Sequence, residues 1–130
     1  MTEVVDWTDM SFEEARQTLK KWREDHARRS EETVEIWEHL LSRYASSLSD
    51  ELWSVLEQVV IAAIDCARFD VAVVCLQKLH GKFPHSTRVA KLKAMRLEAT
   101  GKYDEAEKVY DQLIESDETN PVWFLILIQF

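Results

Sequence analysis

Ala67-Arg68-Phe69-Asp70-Val71-Ala72 and Gly101-Lys102-Tyr103-Asp104-Glu105-Ala106 carry one pattern twice. Leu76, Leu79 and Pro84 follow the first copy; Tyr110, Leu113 and Glu118 follow the second. Phe69 corresponds to Tyr103, Ala72 to Ala106, Leu76 to Tyr110 and Leu79 to Leu113, each displaced by about 34 residues, the period of a stacked helix pair. Small and large positions recur together, so the pattern describes packing. The chain reads as a helical repeat scaffold, not an enzyme.

The fold class that follows is all-α, a tetratricopeptide-like solenoid of helical hairpins with about six helices. Two antiparallel helices approach closely only where a side chain is small. Ala72 and Ala106 hold that position on the second helix of each pair, and Ala63 and Ala94 offer small contacts on the first. A single pair cannot bury its own apolar face, so repeats stack.

Working outward, residues 1–10 read as an extended arm. Residues 11–48 form a divergent helix pair, residues 50–84 repeat one and residues 86–119 repeat two. Ser11-x-x-Glu14 is a capping box, followed by Phe12, Ala15, Leu19 and Trp22 on one helical face. Ser30 starts a second helix, with Glu31 and Glu32 favoured by the positive end of its dipole, and its stripe is Val34, Trp37, Leu41 and Tyr44. The third helix runs from about Asp50 to about Ala67 and is apolar all round from Val59 to Ile64, so both its faces need cover. Pro84 ends the fourth helix, Ser86 caps the fifth, and Gly101 supplies the left-handed residue that stops it. Tyr103 begins the sixth. Asn120-Pro121 announces one more helix start, and residues 122–130 form an apolar tail, a truncated third repeat.

Composition limits the partners. The 130 residues have a formal net charge of -8. That disfavours sequence-independent binding to nucleic acid, whose phosphates would be repelled, and binding to anionic membrane surfaces. It suits a protein partner with a basic patch. No charged-then-apolar leader opens the chain and no apolar run is long enough to span a bilayer, so a cytosolic protein is expected. Cys66 and Cys75 lie on apolar helical stretches, as buried reduced thiols do.

No cofactor or metal is expected. His26, His39, His80 and His85 form no ligand pair at zinc spacing, and no glycine-rich loop exists to cradle phosphate. Acidic pairs such as Glu13-Glu14 and Glu31-Glu32 sit at helix starts and suit solvated faces. The basic stretch from Arg23 to Arg29 suits an acidic partner loop or an ordinary helix end. With Trp53 and Thr87 as first repeat positions, the groove is expected to present Glu57, Ile61, Ile64 and Asp65, then Arg88, Lys91, Met95 and Glu98. Ile61 and Met95 stand where a carboxylate clamp needs asparagine, which argues against a chaperone-tail clamp although Lys91 is present. The apolar floor suits a buried protein segment, or else Ile61 and Ile64 are core.

Lys21-Trp22-Arg23-Glu24, Arg43-Tyr44-Ala45-Ser46, Leu52-Trp53 and residues 83–89 add a more specific signature. With Met95-Arg96-Leu97-Glu98-Ala99, they make the chain resemble the family of ER membrane protein complex subunit two. The resemblance implies a non-catalytic, cytosolic, peripheral scaffold at the endoplasmic reticulum. Its partners would be the other subunits of a complex that inserts tail-anchored and multi-pass membrane proteins. The alternatives are a tetratricopeptide adaptor for a soluble chaperone or peptide, and a regulatory helical domain of an enzyme.

Overall fold

The computed structural model describes residues 7–116, with the side chains of residues 114–116 left aside. Among the described residues there are six α-helices: α1 (Phe12–Glu24), α2 (Ser30–His39), α3 (Glu51–Asp65), α4 (Phe69–Lys82), α5 (Thr87–Ala99) and α6 (Tyr103–Ser116). Two 3-10 segments, Trp7–Asp9 and Leu41–Leu48, complete the described residues. The tail at residues 122–130 and the start of the arm lie outside the described residues. The all-α hairpin fold stands.

Local chemistry accounts for most helix ends. Ser11 Oγ accepts the Glu14 N–H at 3.1 Å and Ser86 Oγ accepts the Val89 N–H at 3.3 Å, each satisfying one of the orphan donors of a first turn. Three turns close alike at the other end. His26, Ala67 and Gly101 take φ of 53, 58 and 81°. The next N–H then reaches back to a carbonyl in the last turn: Ala27 to Trp22 at 2.9 Å, Arg68 to Ala63 at 2.8 Å and Lys102 to Leu97 at 2.8 Å. These are left-handed helix stops of Schellman type.

Ser30 starts the second helix as expected, and Arg29 before it makes no side-chain capping bond. Two expectations are corrected. The second helix stops at His39, and a 3-10 run covers residues 41–48, with Tyr44 at φ -122° and ψ 30° inside it. That kink turns Tyr44 out of the stripe, where it is 49% exposed. Its ring meets Phe12 edge-on at 6.0 Å. The arm is not extended throughout: Trp7–Asp9 is a helical turn closed by the Met10 N–H on the Trp7 carbonyl at 3.2 Å.

The described residues fall into two compact units, one up to Leu79 and one from His80 onward. In the first, α2 packs along α3, and α1 and the segment Leu41–Leu48 also reach α3. Val55, Leu56, Val59, Val60, Ala62 and Ala63 of α3 are buried there. The first helix pair is thus one cover for the apolar α3. Ala72, Cys75 and Leu79 of α4 are buried. In the second unit α5 packs along α6. Ala94 is fully buried and Ala106 nearly so, as close helix approach requires.

Candidate functional site

The expected groove residues occupy two rows, α3 in the first unit and α5 in the second. Along α3, Glu57, Ile61 and Ile64 recur at spacings of four and three and are half-buried. Asp65, at the end of the helix, is exposed. Its carboxylate is nevertheless engaged. Arg28 donates to it at 3.2 Å and Ser30 Oγ at 2.9 Å. Asp65 therefore ties the end of α3 to the link between α1 and α2.

Along α5, Arg88 is exposed, and Lys91, Met95 and Glu98 are half-buried. Glu98 faces Tyr110 of α6. Burial pushes the Tyr110 phenol up to about 12, and the negative charge of the Glu98 carboxylate pushes it in the same direction. Glu98 therefore belongs to the α5–α6 contact as well as to the row.

Sequence reasoning missed the polar frame behind the first row. Glu51, at the start of α3, accepts from Arg16 at 3.0 Å and from Arg23 at 3.1 Å, both on α1. Arg23 also donates to Gln58 Oε1 at 2.8 Å, and Gln58 Nε2 donates to the Leu19 carbonyl at 3.1 Å. All four side chains are partly buried. Charge-assisted bonds of this kind fix both position and orientation. Arg16 is also paired with Glu13, one turn back.

The basic stretch from Arg23 to Arg29 is largely taken up inside the unit. Arg29 pairs with Glu32 at 3.0 Å and lies over Trp22, 5.1 Å from the ring centroid. Arg68 bridges Glu38 of α2 at 2.5 Å and Asp70 at 3.2 Å. Lys78 of α4 lies over Trp37 of α2 at 5.6 Å. These contacts bind helices to one another, and none assembles a nucleophile with a base. Among the described residues no three His, Cys, Asp or Glu side chains come together as a metal-holding group. Nor is any helix there long and apolar enough to cross a membrane. What the rows offer is a mixed apolar and charged surface on braced helices.

No family model matches the chain. It is 45% identical over 120 residues to ER membrane protein complex subunit 2-B of Xenopus laevis, across 92% of this chain and 40% of that protein. Identity to ER membrane protein complex subunit 2 of Xenopus tropicalis is 44%, with the same coverage. TPR repeat protein oca3 of Schizosaccharomyces pombe is 36% identical over 73 residues, 56% of this chain and 26% of that protein. The chain spans 40% of the length of the Xenopus relatives it matches.

Proposed function

From the premise that this chain is a relative of ER membrane protein complex subunit 2 spanning part of that protein's length, we propose that it is a non-catalytic scaffold subunit of that complex. In this reading it lies at the cytosolic face of the endoplasmic reticulum membrane and reaches the bilayer through partner subunits. There it supports insertion of tail-anchored and multi-pass proteins.

The observation that carries the reading is the extent of the similarity. It runs through the first helix pair as well as the repeats. Generic repeat positions would support a match to the hairpins alone. The braced, hairpin-built surface also supports a holding role. Ile61, Ile64 and Met95 supply apolar contact in this reading. Glu57 supplies polar contact on the α3 row, and Arg88, Lys91 and Glu98 on the α5 row. Asp65 acts by bracing α3 rather than by touching a partner.

Affinity purification of the tagged chain from detergent-solubilised cells, followed by mass spectrometry, tests it. Membrane-embedded subunits of the complex are expected in near-stoichiometric amounts. Recovery of soluble chaperones without those subunits would overturn the proposal in favour of an adaptor. Recovery of a catalytic chain would overturn it in favour of a regulatory domain.

A further inference from the structure

We propose that Trp7 and His39 form a proton-tightened clasp, which holds the segment Trp7–Asp9 on α2 more firmly when His39 is charged. The two rings are stacked with centroids 4.4 Å apart and planes 9° from parallel. The segment packs on α2, and Trp7 is half-buried in doing so. A neutral imidazole on an indole gains only stacking. An imidazolium in the same place adds the attraction of a cation for the indole face, which acts within about 6 Å of the ring centroid.

Charged groups of both signs surround the ring. Glu38 Oε1 is 3.5 Å from His39 Nε2. Arg68 is a cation in that network, engaged with the other Glu38 oxygen, Oε2, and with Asp70. Glu35 lies one turn earlier on α2, and Asp9 sits in the clasped segment itself; both are exposed. The segment Leu41–Leu48, packed on α2, brings the exposed Arg43. Asp65 meets Ser30 at the other end of α2, so α3 runs antiparallel and turns Asp50 and Glu51 toward the His39 end. Glu51 is taken up by Arg16 and Arg23, and Glu57 stands at mid-helix.

Histidine changes charge between about pH 5 and 8. The closing bond of the segment, Met10 N–H to the Trp7 carbonyl, reports its docking. Hydrogen exchange of the Met10 amide in the full chain, corrected for the intrinsic pH dependence of exchange, tests the proposal at about pH 5.5 and 7.5, inside that range. Protection is expected to be about two- to fivefold greater at the lower pH, as the cation–aromatic gain at an exposed site implies. His39→Gln keeps a flat polar group over the indole but cannot take the proton. With helical content unchanged by circular dichroism, it is expected to lose the difference. Equal protection of the wild-type amide at the two pH values would overturn the clasp. So would an undiminished difference in His39→Gln.

Discussion

Ala67 and Gly101 hold the same place in two hairpin turns, and both backbones are left-handed, at φ 58° and 81°. Each precedes the residue whose N–H closes the turn on the last helical carbonyls. Only one is a glycine. An L-residue with a Cβ pays for that conformation through its contact with the carbonyl oxygen.

The pair predicts opposite effects. Gly101→Ala is expected to destabilise the chain by about 1 kcal/mol. A Cβ built there meets nothing within 4 Å, so the cost is torsional rather than a clash. Ala67→Gly relieves the same torsion but frees the unfolded chain, and these effects oppose each other. It is expected to be neutral or stabilising by up to about 1 kcal/mol. Urea denaturation of the two variants checks the signs. A Gly101→Ala chain as stable as the parent would show that the turn relaxes freely.

Glu51 is the acceptor on which two α1 guanidiniums converge. Glu51→Ala removes both acceptors, while Arg16 keeps Glu13 and Arg23 keeps Gln58. Hydrogen bonds to charged groups contribute about 1.5–3 kcal/mol each; the remaining partners and the partial exposure of the pairs reduce the combined loss to roughly 2 kcal/mol. Thermal melting checks it, because a loss of that size lowers the midpoint of a domain of this size by several degrees. A Glu51→Ala midpoint equal to the parental one would show that α1 is held by its apolar face alone.

Cys75 predicts the alkaline limit of stability. Burial pushes its thiol from the ordinary 9.0 up to about 12. The folded state therefore holds the proton that the unfolded state releases above about pH 9. This contribution is fully present below pH 9 and falls by about 1.4 kcal/mol per pH unit above it. Tyr110, raised from 10.0 to about 12, acts in the same sense from pH 10. Urea titrations between about pH 8 and 11 are expected to show falling stability. Cys75→Ala should flatten the part that begins near 9. Cys66, less buried but also raised by burial, is expected to alkylate before Cys75 in the folded chain.

The sequence by itself determined the helices, their hairpin pairing and most of their ends. Those features are written locally. A stripe such as Ala15, Leu19 and Trp22 specifies which face is buried. Ser11, Ser86 and Gly101 act on amides and carbonyls within a few residues of themselves. The break after His39 was not legible, because the apolar stripe runs on through Leu41 to Tyr44 and only packing decides where the helix yields. The fates of the charged residues were hidden as well. Arg16 and Glu51 are 35 positions apart, Arg23 and Glu51 28, and Arg28 and Asp65 37. No local period links such residues, and a surface charge costs little until a neighbour arrives to pair with it. Asp65, read as a groove residue, is also a brace, and the run from Arg23 to Arg29, read as suiting a partner loop or a helix end, also belongs to the frame. Burial and hydrogen bonding between distant helices are settled only when those helices pack, and there the tertiary structure alone decides.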